Sequence, residues 1–191
     1  MKGAGSSFSA VLLAAGRSRR AGLDKALRPA ADGRAMWERQ SSVLAAAGAT
    51  EMFISARPEQ KWVPAGAAVV LDARADAGPL GGIVAALERA THGHLMVSAV
   101  DLPAMRTEWF SKLWASCAPG VGAVGRHSGA TGYFEPLAAI YPREILPAAR
   151  AALARGEGSL QRLIAAEAAR FAVREIGAEA AAWFENRNEP A

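Results

Sequence analysis

Residues 8–25 read FSAVLLAAGRSRRAGLDK. The first eight are apolar or small and Gly16 closes them, the pattern of a short strand buried on both faces. A loop follows that carries Gly16, Gly22, Arg17, Arg19, Arg20 and Lys25. Glycines release backbone N–H groups and the long cations bring mobile charge, so the strand opens onto what a polyphosphate needs. Two familiar phosphate loops do not fit. A Walker A loop needs four residues between its glycines and then Lys-Ser/Thr, whereas here five separate Gly16 from Gly22 and Leu23-Asp24-Lys25 follows. The dinucleotide fingerprint G-x-G-x-x-G is absent as well.

Outward from this stretch, strand and helix patterns alternate. Strands are predicted at EMFISA (51–56), AAVVLD (67–72), HLMVSAV (94–100), GVGAVG (120–125), FEPLAAIY (134–141) and FAVREI (171–176). Helical spacing is predicted over 36–47, ended by Gly48, and over 83–90 after GPLGG. Further helices are expected over 107–117 with Thr107 as N-cap, over 142–156, and over 159–170 capped by Ser159. Pro103 stops the strand before it. Such alternation predicts an α/β fold: a single-domain three-layer α/β/α arrangement, Rossmann-like, around an open and mostly parallel sheet, with residues 1–7 as a polar tail.

Composition narrows the function classes. The chain has 191 residues, half of them apolar, and a formal charge of +4 with no long block of one sign. That balance suits a small anionic substrate, and no aromatic-basic stripe points to nucleic acid. No apolar run reaches membrane-span length, and the short apolar segment before the arginines does not read as a secretion signal. One cysteine, Cys117, forms no internal disulfide and implies a reducing, cytoplasmic setting; it reads as a partly buried structural thiol near a helix end. His92 and His94 alternate but lack a third metal ligand. The five tryptophans read as core or contact residues, with Trp183-Phe184 anchoring the tail.

In an open α/β sheet ligands gather at the carboxyl ends of strands. Asp101 stands directly after HLMVSAV, where packing gives no reason for a carboxylate and a magnesium ligand would be well placed. Its plain alternative is a turn former before Leu102-Pro103. Asp72 ends VVLD and reads either as a site residue or as a helix-approach residue.

The spacing L-x-A-G-x-x-x-R-x-G-x-x-D-K, spelled by Leu13, Ala15, Gly16, Arg20, Gly22, Asp24 and Lys25, resembles the signature loop of MobA-type nucleotidyltransferases. GPLGG (78–82), VDLP (100–103), EPLAAIYPR (135–143), GSLQRLI (158–164) and FENRNEP (184–190) follow in that family's order, and together they are most similar to the molybdenum cofactor guanylyltransferases. The resemblance implies transfer of GMP from GTP to the terminal phosphate of molybdopterin with release of pyrophosphate, dependent on Mg2+. It implies that Lys25 and Arg20 hold the triphosphate and that Leu13, Ala14, Ala15 and Gly16 give the nucleotide backbone contacts. Asp101 would bind magnesium, with Asn188 rather than Asn186 as second ligand, and Asp72 would lie near the nucleotide. Asp24 would shape the loop. GPLGG would pass close to the base, Ser55 stands where guanylyl members place an asparagine, and His127 with Arg126 would face the acceptor. GTP and molybdopterin are the implied partners, with molybdoenzymes or their chaperones beyond them. This chain departs from the pattern at Ala15 (glycine in relatives), Ala21 (methionine) and Glu189 (threonine). A cytidylyltransferase of the same cofactor, a sugar-phosphate nucleotidyltransferase and a non-catalytic nucleotide or cofactor carrier stay open as readings.

Overall fold

The computed structural model describes residues 7–16, 24–71, 77–128 and 132–185. Among these residues seven strands, β1 (Phe8–Leu13), β2 (Ala49–Ala56), β3 (Ala68–Leu71), β4 (His94–Ala99), β5 (Gly122–His127), β6 (Phe134–Pro142) and β7 (Phe171–Ile176), form one sheet in the order β3-β2-β1-β4-β6-β5-β7. Every pairing is parallel except the two made by β6, which runs antiparallel between β4 and β5. The mostly parallel α/β sheet expected from the alternation is therefore present.

Among the described residues six helices cover it: α1 (Met36–Ala46), α2 (Gly78–Arg89), α3 (Thr107–Trp114), α4 (Leu146–Ala154), α5 (Leu160–Ala166) and α6 (Ala178–Ala181). The period of two in β1 explains how they divide. Phe8, Ala10 and Leu12 enter a core shared with Met36 and Leu44 of α1 and with Trp109, Phe110 and Leu113 of α3. Val11 enters the opposite core with Leu80, Ile83, Val84 and Leu87 of α2 and with Leu160, Leu163 and Ile164 of α5. An apolar run without polar alternation is what a central strand covered on both faces requires.

Several local expectations hold. Gly48 ends the first helical run with φ of 103°, a left-handed conformation that glycine adopts at no steric cost. Ser159 caps α5, its hydroxyl accepting from the Arg162 N–H at 3.4 Å. Trp109 donates its indole N–H to Ala138 O at 2.9 Å, tying α3 to β6, and Phe184 meets Trp109 edge-on at 4.9 Å, so the Trp183-Phe184 pair does anchor the chain there.

Others shift. Thr107 is the first helical residue and Arg106 the cap; the threonine hydroxyl points to Val43 O at 3.5 Å, a tertiary contact that replaces the capping one. The second helix begins at Gly78, so GPLGG is its first turn. Pro79 suits that turn because its missing N–H has no intrahelical partner there. The 142–156 segment is a 3-10 turn (Arg143–Ile145) followed by α4, and the 159–170 segment is α5 followed by a second 3-10 turn (Ala168–Arg170).

Candidate active site

β1 is the point where strand order reverses: β2 and β3 add on one side, β4 on the other. Connections diverge there, which opens a crevice at the carboxyl ends of β1 and β4. Leu13 pairs with Ser55 of β2 and with Ala99 of β4. The Ala14 N–H donates to Ser55 O at 2.9 Å, and the Val100 N–H donates to Leu13 O at 3.1 Å. The three chains thus stay in register to the mouth of the crevice, and Asp101 follows one residue later.

Lys25 opens a 3-10 turn (Lys25–Leu27) capped by Asp24. Its Nζ lies 3.0 Å from Asp101 Oδ2, and the two side chains are 22% and 23% exposed. Residues 76 positions apart are thereby brought to one place, one cation and one carboxylate at the edge of the switch-point crevice.

Asp24 behaves as the loop-shaping acceptor expected of it. Oδ1 accepts from the Ala26 N–H at 3.1 Å. Oδ2 accepts from Gln60 Nε2 at 2.5 Å and from Trp62 Nε1 at 2.8 Å. Gln60 Nε2 also donates to Ala14 O at 3.0 Å, and Arg57 Nη1 donates to Ala15 O. Trp62 stacks on Trp37 of α1 at 6.0 Å. Both backbone groups of Ala14 are therefore engaged inside the protein. The N–H groups of Ala15 and Gly16 make no hydrogen bond among the described residues.

A second support lies under Asp101. Gln40 of α1, fully buried, donates from Nε2 to Leu102 O and accepts at Oε1 from Ser98 Oγ at 3.4 Å. Arg39 Nη2 donates to Met105 O at 3.1 Å. Helix α1 thus holds the 98–105 turn by side chains rather than by secondary structure.

Ser55 is 1% exposed and sits under α2. A Cβ on Gly82 would lie 2.5 Å from Ser55 Oγ and 3.0 Å from Leu13 Cδ2. The second half of GPLGG is small so that α2 can approach the ends of β1 and β2, which also aims the amino end of α2 toward the same edge. That packing seats the second half of the segment against Ser55 and Leu13.

Across β4 the same edge continues through β6 and β5, since Ser98 pairs with Ala138 and Arg126 with Phe134. His127 Nε2 meets Glu135 Oε1 at 2.5 Å. Burial pushes the Glu135 carboxyl above the ordinary range, against the hydrogen bond from His127. Tyr133 stacks on His127 at 4.4 Å and is itself 49% exposed. Arg126 turns instead to Glu175, 3.7 Å away. His92 pairs with Ser9 and Glu51, and His94 reaches the carbonyls of Ala118 and Val121, so the two histidines serve separate contacts. Burial raises the Cys117 thiol to about 12, as a structural thiol requires.

Arg17, Arg19, Arg20, Asp72, Asn186, Asn188 and Glu189 lie outside the described residues. Of the remaining predicted positions, the structure brings together Leu13 to Gly16, Lys25, Ser55 and Asp101. Sequence reading did not single out Arg57, Gln60, Trp62 or Gln40. The first three sit in RPEQKW, a polar and aromatic loop leaving the carboxyl end of a strand, which was the available signal. Gln40 carried none beyond being polar within a helical run.

Known proteins resemble this chain over most of its length. The family described as MobA-like NTP transferase domain matches residues 10–171. A probable molybdenum cofactor guanylyltransferase of Opitutus terrae is 43% identical over 164 residues, covering 84% of this chain and 79% of that protein. One of the same description from Deinococcus radiodurans is 33% identical over 96% of this chain and 91% of its own. The crystal structure of molybdopterin-guanine dinucleotide biosynthesis protein A from Archaeoglobus fulgidus shares the fold with a TM-score of 0.73 at 21% identity, covering 95% of this chain and 93% of that one. A strand-loop crevice with Lys25 and Asp101 at its mouth, inside a sequence match that spans most of the chain, is the mark of common descent: this chain belongs to the MobA-like NTP transferase family.

Proposed function

We propose that the chain is one MobA-like domain of a cytoplasmic nucleotidyltransferase that moves GMP from GTP to the terminal phosphate of molybdopterin and releases pyrophosphate. The observation that carries this reading is the meeting of Lys25 and Asp101 at 3.0 Å in the β1/β4 crevice. Relatives named for that activity supply the substrates.

Nucleotidyl transfer needs charge neutralised and two phosphates aligned rather than a covalent intermediate. Ala15 and Gly16 offer their N–H groups to the triphosphate, while Leu13 and Ala14 form the wall and give the loop its shape. Ser55 supports that wall from below. Lys25, paired with Asp101 before substrate arrives, exchanges this partner for the triphosphate and follows the charge onto the departing pyrophosphate. Arg20 joins it by the spacing of the loop motif; by family resemblance, Asp72 of VVLD lies near the nucleotide and Asn188 of FENRNEP is the second metal ligand. His127 faces the acceptor from the β5 end of the edge.

The donor set at Asp101 fits Mg2+. It is a hard carboxylate oxygen at the crevice mouth, held 3.0 Å from Lys25 Nζ. Magnesium commonly takes one or two carboxylates and completes its shell with substrate phosphates and water. When bound, the ion would supply charge neutralisation across the triphosphate.

Pyrophosphate release measured with GTP, CTP, ATP and UTP, each with and without molybdopterin and with Mg2+ or a chelator, tests the reading. Release is expected with GTP and molybdopterin together and only with metal. Release with CTP instead would move the chain to the cytidylyl branch, and tight GTP binding without release would make it a carrier.

A further inference from the structure

Ala14, at the end of β1, and Asp24, before the turn that carries Lys25, are joined by one side chain. Gln60 Nε2 donates one proton to Ala14 O at 3.0 Å and the other to Asp24 Oδ2 at 2.5 Å. Its Oε1 accepts from the Arg57 N–H at 2.6 Å, which fixes the orientation of the amide plane. Gln60 is 8% exposed, so the bridge is shielded from competing water. Trp62 adds a second donor to the same carboxylate oxygen, and Arg57 holds the next carbonyl, Ala15 O. A glutamine amide spanning two chain segments satisfies a buried carbonyl and a carboxylate at once, and only a planar group with two donors at that length does so.

We infer that Gln60 is a positioning residue for the donor-nucleotide site: it ties the Ala14 carbonyl to Asp24 and, through Asp24, holds the turn from which Lys25 reaches Asp101. Asp24 caps that turn with its other oxygen, at Ala26 N–H. A shift of the Asp24 carboxylate therefore moves the first turn residue, Lys25. Trp62 serves the same purpose with one donor, backed by its stack on Trp37. Misplacing a charged group by about 1 Å is enough to cost two orders of magnitude in rate. The inference rests on the reading of this crevice as a nucleotide site and makes no use of the acceptor.

The experiment is a double-mutant cycle on the full chain with two readouts, GTP affinity by titration without acceptor and GMP transfer with molybdopterin. Gln60→Ala is expected to lower kcat/KM for GTP by about 10- to 100-fold while KM for molybdopterin stays within about twofold. In the Lys25→Ala background the same change should cost clearly less than it does alone, because the residue it positions is gone and only its hold on Ala14 remains. Trp62→Phe keeps the ring stack, loses one donor and should show a smaller loss in the same direction. Gln60→Glu is the decisive variant. At neutral pH its carboxylate faces Asp24 and should impair GTP binding as the alanine does. As pH falls, one proton held between the two carboxyls restores the contact to Asp24 but leaves Ala14 O without its donor, so GTP affinity relative to the unmutated chain should recover only in part on the acid side.

Circular dichroism of each variant at the assay temperature is the control for folding. A lower melting temperature with unchanged GTP kinetics would overturn the inference and leave Gln60 structural. Additive losses with Lys25→Ala would overturn it too. If the unmutated chain binds GTP but transfers nothing to molybdopterin, the assigned reaction fails, and the affinity arm still decides the role of Gln60. If the unmutated chain binds no nucleotide, both fail.

Discussion

Lys25 Nζ and Asp101 Oδ2 stand 3.0 Å apart, across a crevice that separates their elements by 76 residues of chain. Each side chain is about a fifth exposed, so water screens their attraction and the pair contributes at most about 1 kcal/mol to stability. Its placement therefore answers to chemistry more than to folding. Lys25→Ala should lower kcat/KM for GTP by about two to three orders of magnitude, the scale of losing one preorganised charge at a reacting phosphate. Asp101→Asn should abolish metal-dependent turnover while moving the urea midpoint only slightly. Steady-state pyrophosphate release and equilibrium unfolding on the same samples check both. A large stability loss in Asp101→Asn would make the pair structural.

Gln40 reaches the carbonyl of Leu102, the residue after Asp101, from a fully buried position on α1. Replacing it by leucine leaves that carbonyl without its partner in the core. Gln40→Leu should cost about 1–3 kcal/mol in urea unfolding, the penalty of an orphaned buried acceptor. Because Ser98 also loses its partner at Oε1, the loss should exceed that of Ser98→Ala alone.

Gly82 tests how closely α2 must approach the strand ends. An added methyl would meet Ser55 Oγ at 2.5 Å and Leu13 Cδ2 at 3.0 Å. Overpacking of this kind costs about 1–3 kcal/mol. Gly82→Ala should lower the melting temperature and raise KM for GTP together, since Leu13 forms the wall of the loop. Gly16→Ala makes a useful contrast, because a Cβ there meets nothing within 4 Å among the described residues and its fold should be unaffected.

The difference between Gly82 and Gln60 shows what the sequence discloses. A strand such as Phe8–Leu13 announces itself because burial on both faces leaves no polar alternation, and the loop after it because glycine and cations concentrate where a strand ends. Asp101 is legible for the same reason: a carboxylate at the end of an apolar run is out of place unless the fold uses it. The opening of α2 was hidden because glycines signal loops, and only the three-dimensional approach of Gly82 to Ser55 explains small residues within a helix. Gln60, Trp62 and Gln40 were hidden for a different reason. Their roles lie in hydrogen bonds to backbone far away in sequence, and no periodicity records such contacts.

The opposite edge of the sheet offers a pH test independent of the crevice. Glu51, near the amino end of β2, accepts from the buried Ser9 hydroxyl, from the Thr91 N–H at 3.0 Å and from the Thr91 hydroxyl at 3.3 Å, with His92 Nδ1 3.7 Å away. Burial alone would raise its carboxyl, but these donors outweigh it and hold the group below the ordinary range. Between the folded and unfolded pKa values the unfolded chain binds the proton more readily, so ionised Glu51 favours the folded state. That contribution is complete above the unfolded value of about 4.3, declines as pH falls through it, and is gone below the folded value. Glu51→Gln keeps an acceptor for Ser9 but has no charge to lose. The stability gap between the unmutated chain and this variant, measured by urea unfolding, should be widest near pH 6 and should shrink as pH approaches 3. A gap that stays constant over that range would show that Glu51 titrates alike in both states, and the Ser9–Glu51–Thr91 contacts would then hold the strand ends by neutral hydrogen bonding alone.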